Sequence, residues 1–244
     1  MMKLFRKPDG TEVKYIRVSA LAHYWYCAVQ AYQISCGIES PNNEALQIGK
    51  RIHDDISNAR QLSTWEKEFQ TYIKQFMVDR STGTGSTGLD SDEYKVFQRA
   101  WYDGTVVLGH ITTHGIDDFR VSPERTIIMM EYKTTNQRII DHYKLSPAIF
   151  QLKVYMWILE PYLIAGGYKI KRGEIVFLNR KGEPLGVKEI EDYSATDVEL
   201  NIARILEQFR DPTKLIPPAK FKCYGCPEVW RKGCPFQSEG QMFR

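Results

Sequence analysis

Residues 126–135 read TIIMMEYKTT, and residues 115–121 before them read GIDDFRV, with Ser122-Pro123 between the two runs. Two β-rich runs separated by a turn signal predict adjacent strands at about 115–121 and 126–133. In the second strand Glu131 and Lys133 form the pattern E-x-K, and the period of two turns both side chains to one face. If the strands pair, Asp117 joins them. Two carboxylates and an ammonium in one place are the parts of a metal-dependent phosphodiesterase. The carboxylates offer hard oxygen ligands to Mg²⁺ or Mn²⁺, and the ammonium orients an attacking water or balances developing negative charge. E-x-K by itself reads more readily as an ordinary solvent-facing pair, so the reading depends on its neighbours. Asp118 adjoins Asp117 and faces the other way in a regular strand; Asp117 is the expected ligand, with Asp118 the alternative under a different register.

Upstream, His53 ends the run GKRIH on a helix predicted from about Asn42 to Arg60, where an imidazole can serve as a further ligand for Mn²⁺ or a similar ion. Downstream, SPAIFQLKVYMWIL predicts a helix with Ser146 as N-cap and Pro147 in its first turn. Gln151 and Tyr155 lie one turn apart on that helix and share a face. Gln151 can position a phosphate or Lys133, and Tyr155 can bond or stack on nucleic acid. The plainer alternative makes Tyr155 a core residue and Gln151 its solvated neighbour.

The remaining pattern is that of an α/β core with a mixed central sheet flanked by helices. A helix is predicted from Ser19 to about Ser35, and another from Ser63, which forms a capping box with Glu66, towards Val78. The run STGTGSTGLDSD at 81–92 reads as a loop. Further strands are expected at about 104–112, in GEIVFLN and in PLGVKEI, before a last helix from Ser194 to Phe209 that Asp211-Pro212 ends.

Five cysteines are present: Cys27, Cys36, Cys223, Cys226 and Cys234. The tail run FKCYGCPEVWRKGCPF gathers three of them among Gly and Pro turns, which let thiolates converge on a metal centre with one ligand missing. An odd count without any sign of secretion argues against disulfides, and Cys36 reads as a small buried hydrophobe. Lys214, Lys220, Lys222, Arg231 and Lys232 around the tail cysteines could form a basic wall for a DNA strand or simply a solvated face.

Composition sets bounds. At 244 residues and 43% hydrophobic, the chain can bury a substantial core in one domain; its net charge of +3 permits nucleic-acid binding without requiring it. No apolar run approaches the roughly 20 residues of a membrane span, and MMKLFRKPDG lacks the apolar core of a signal peptide, so a soluble intracellular protein without membrane partners is expected.

Gly49 to His53, Asp117, Glu131-Tyr132-Lys133 and Gln151 to Tyr155, in that order, resemble the RecB-type branch of the PD-(D/E)xK nucleases. With the cysteines added, the chain resembles, from Ser19 to Phe236, the Cas-four family of CRISPR-associated iron–sulfur nucleases and its phage, Dna-two-like and exonuclease-five-like relatives. The resemblance implies a restriction-endonuclease-like core over about 42–210 and an iron–sulfur subdomain built from both chain ends, about 15–40 and 212–238. It implies metal ligation by His53, Asp117, Glu131 and the main-chain carbonyl of Tyr132, with Lys133, Gln151 and Tyr155 serving catalysis. It further implies a [4Fe–4S] cluster on Cys27, Cys223, Cys226 and Cys234, for which a structural Zn²⁺ is the alternative. The expected activity is metal-dependent cleavage of DNA, chiefly at single-stranded ends, in CRISPR adaptation, repair or phage DNA processing. Partners would be DNA and either CRISPR adaptation proteins or further copies of the chain. The alternative is a DNA-binding adaptor that keeps the fold with little catalysis of its own.

Overall fold

A computed structural model of the protein describes residues 10–38, 44–80, 94–101, 105–110, 118–135 and 142–216, with 223, 226, 228–232 and 234–236 in the tail. Asp117 and the 81–92 run lie outside the described residues.

The helix expected from Ser19 to Ser35 is two helices, α1 (Val18–His23) and α2 (Ala28–Ser35). They part because Cys27 is extended, at φ −157° and ψ 112°, which breaks the hydrogen-bond ladder and makes Cys27 the N-cap of α2. Helix α3 (Glu44–Ala59) carries GKRIH. Helix α4 (Thr64–Lys74) begins with the expected box, in which the Ser63 hydroxyl accepts from the Glu66 N–H and the Glu66 carboxylate accepts from the Ser63 N–H.

Among the described residues the strands form two four-stranded sheets rather than one central sheet. In the first, β1 (Tyr15–Arg17) pairs in parallel with β4 (Val106–His110), β4 pairs antiparallel with β3 (Tyr94–Ala100), and β3 pairs antiparallel with β2 (Val78–Arg80). In the second, β5 (Asp118–Val121) and β6 (Thr126–Thr134) form an antiparallel hairpin, β7 (Lys169–Leu178) lies parallel to β6, and β8 (Pro184–Ile190) closes the edge antiparallel to β7.

Between the parallel strands β6 and β7 the chain crosses over through α5 (His142–Ala165). This helix starts a turn before the expected Ser146 cap and takes both Pro147 and Pro161 into its interior. Each proline removes one N–H from the ladder, and burial of the helix's middle turns offsets the loss. Leu152, Val154, Met156, Trp157, Ile158 and Leu159 are each at most 1% exposed, so α5 is a core helix that needs cover around its whole circumference. It receives that cover by lying against β3 and β4 as well as β6 and β7. Two glycines permit the approach: a Cβ on Gly109 of β4 would stand 2.9 Å from the Tyr155 ring, and one on Gly173 of β7 would stand 2.5 Å from Met156 Cε. An amphipathic outer helix, α6 (Ala195–Arg210), capped by Ser194, buries Val198, Ile202, Ile205, Leu206 and Phe209 in the same core.

Helix α3 covers the opposite face of the second sheet. Ile48, Ile52 and Ile56, one turn apart, pack on Met130 and Tyr132 of β6 and Val176 and Leu178 of β7.

Candidate functional site

The site is assembled at the C-terminal end of β6, where alternation divides three consecutive residues between two helices. Glu131 and Lys133 turn to the α5 face. Glu131 is 3% exposed, and its Oε1 accepts from Lys133 Nζ at 2.5 Å. The same ammonium donates to Gln151 Oε1 of α5 at 3.0 Å. A buried carboxylate needs a partner to stay charged, and Lys133 supplies it while Gln151 fixes where the ammonium stands. The structure therefore brings Glu131, Lys133 and Gln151 together.

Tyr132 turns the other way, towards α3. Its ring meets the His53 ring edge-on at 6.0 Å between centroids, so His53 reaches the strand on the face opposite Glu131 and beside the residue whose carbonyl the resemblance singles out. The close fit of α3 there is set by Gly49, where a Cβ would stand 3.0 Å from Thr134 Oγ1.

Asp118 shares the Tyr132 face. Its Oδ2 accepts from the Tyr132 hydroxyl at 2.8 Å, its Oδ1 accepts from the backbone N–H of Phe119 at 2.8 Å, and it is ion-paired with Arg60. Arg60 also bonds Glu66 and the Phe119 carbonyl. Asp118 is thus engaged away from the Glu131 carboxylate, as a regular strand requires. Arg60 itself gave no signal in the sequence beyond being a charged residue at a helix end.

Tyr155 is 6% exposed, with its ring against Gly109. Little of that ring is exposed; its position is that of a core residue behind Gln151, the plainer of the two readings of the sequence.

The second cluster joins the two ends of the chain. Cys27 is buried and Cys223, Cys226 and Cys234 are half-buried. Burial raises the Cys27 thiol pKa most, the backbone N–H groups of Gln30 and Val29 lower it, and the neighbouring Cys234 and Cys226 raise it further. Cys234 is likewise raised, first by burial and then by Cys223 and Cys226, against a lowering backbone bond from Phe236. Cys27 and Cys234, desolvated and flanked by the other two cysteines, are donors whose repulsion a bound cation would relieve, and in that respect they fit a thiolate-held metal centre. Among the described residues no three of His, Cys, Asp and Glu stand closely enough to hold an ion.

The tail is docked by side chains that sequence reading missed. Gln30 donates to Cys226 Sγ at 3.3 Å, Gln33 donates to the Trp230 carbonyl at 3.1 Å, and the His23 and Trp230 rings meet at 5.7 Å. Trp230 lies in a short helix, α7 (Glu228–Arg231). The available signal was two glutamines interrupting an apolar helix after Cys27.

Among the described residues no helix is long and apolar enough to cross a membrane. No family model matches the chain, and neither does any curated protein. Among solved structures, the chain is similar to one described as the crystal structure of SSO0001, at 17% identity and a TM-score of 0.50, covering 92% of this chain and 87% of that one. A weaker likeness, at 14% identity and a TM-score of 0.47 over 90% and 88% of the two chains, is to a protein described as a "putative exonuclease" from Eubacterium rectale. At such identities the first likeness is one of fold: over nearly its whole length the chain shares a mixed α/β architecture with that structure.

Proposed function

We propose that the protein is a metal-dependent deoxyribonuclease of the iron–sulfur, RecB-like kind, hydrolysing phosphodiesters chiefly at single-stranded DNA ends. The observation that carries this reading is the buried Glu131 carboxylate held by Lys133, itself held by Gln151. Glu131, Asp117, the Tyr132 carbonyl and His53 would hold Mg²⁺ or Mn²⁺; carboxylate, carbonyl and imidazole donors suit such ions. An ion there supplies positive charge opposite the phosphate and makes water a stronger nucleophile. Lys133 orients that water and balances charge developing on the phosphate, and Gln151 holds the ammonium in place while the backbone of β6 keeps both groups in one register. The chain ends form a subdomain around Cys27, Cys223, Cys226 and Cys234, which would hold a [4Fe–4S] cluster that fastens the tail to α1 and α2. DNA is the proposed partner, in CRISPR adaptation, repair or phage DNA processing.

Cleavage of labelled single-stranded DNA, with and without Mn²⁺, tests the proposal. Wild-type protein should cut only with metal, and Asp117→Ala, Glu131→Gln and Lys133→Ala should each lose on the order of 10²-fold or more in rate. Activity unchanged in all three would overturn the site, and metal-independent DNA binding without cleavage would favour the adaptor reading.

A further inference from the structure

Gln30 lies among Ala28, Val29 and Ala31 in α2, all buried, and is itself 4% exposed. A buried amide is stable only when both of its ends are bonded. One end faces His23, with Oε1 at 2.7 Å from Nε2, and the other donates from Nε2 to Cys226 Sγ at 3.3 Å, 196 residues along the chain. His23 is held in turn by Tyr26 and Trp230, at ring-centroid distances of 5.5 Å and 5.7 Å. With a ring N–H at Oε1, the amide must present its N–H groups to the sulfur. Nothing in the proposed cleavage uses this arrangement.

We propose that Gln30 is a positioning residue for the cysteine centre, donating to the Cys226 sulfur and thereby setting how readily a cluster held there is reduced, with His23 fixing the amide. The inference rests on the iron–sulfur reading. Adding one electron to a cluster increases the negative charge on its ligating sulfurs, and an N–H donor stabilises the more negative state, so the bond raises the reduction potential. No bond is broken and no proton is moved in that step; the electron comes from an external reductant such as dithionite and returns to an oxidant such as ferricyanide.

The test uses full-length protein purified without oxygen, with iron analysis and a redox titration followed by visible absorption. Gln30→Met keeps similar volume and removes the donor. Its midpoint should shift to lower potential than wild type at equal iron content, and His23→Ala should give a smaller shift of the same sign. Full iron loading with an unmoved or raised midpoint in Gln30→Met overturns the inference and leaves the cluster reading standing. If Gln30→Met loses its iron, the His23→Ala midpoint decides, and no shift there overturns the inference. Wild-type protein that is colourless and free of iron overturns the cluster reading, and this inference with it.

Discussion

Arg60 pins the β5–β6 hairpin to the α3–α4 junction by pairing with Asp118 and Glu66 and bonding the Phe119 carbonyl. With side chains 19% and 12% exposed, Arg60 and Asp118 are shielded enough that removing one strands the other. Asp118→Ala should therefore destabilise the protein by about 2–3 kcal/mol, and Tyr132→Phe by about 1 kcal/mol, in urea unfolding. Because both remove the Asp118–Tyr132 bond, the double variant should cost less than the sum of the two. At this scale the sequence was readable where period two governs. It placed Glu131 and Lys133 on one face and preferred Asp117 to Asp118, whose side chain the structure turns to the Tyr132 face. Arg60 was not readable, since its meaning depends on a partner strand 59 residues away. Gln30 was hidden for the same reason.

The helices show where local signals suffice and where packing overrides them. Ser63 was legible because a capping box is a local arrangement, and Ser63→Ala should cost about 1 kcal/mol. The start of α5 was misread, because Ser146 and Pro147 resemble a helix opening while burial of the surrounding apolar surface carries the helix past them. The single central sheet was misread too: nothing local says that a helix with a run of buried apolar residues will be covered by strands on two sides. Close approach at Gly49 gives a sharper test. A valine there would crowd Thr134 and should destabilise by about 2 kcal/mol. Alanine, whose helix propensity gains about 1 kcal/mol over glycine, should stay within about 1 kcal/mol of wild type, as urea unfolding would read.

For the whole molecule, among the described residues, the second sheet and helices α3 to α6 lie between two cysteine-bearing ends, which meet through Gln30–Cys226 and Gln33–Trp230. A metal centre bound by all four thiolates would add its binding free energy to folding. Stripping iron with a chelator, or Cys27→Ser, should lower the melting temperature and speed tryptic cutting near Lys214 and Arg231, while Cys36→Ser leaves both unchanged. The grouping of the three tail cysteines is plain from their spacing, whereas the glutamine side chains that meet the tail were not legible. The docked ends also have a mechanical meaning. Gln33 and Trp230 are 197 residues apart in the chain yet joined by a bond of 3.1 Å, so the polypeptide runs as a ring with a clasp. Tension applied between the two ends passes through β1 and the clasp before it reaches the second sheet, so the strand that carries Glu131 and Lys133 is shielded from it.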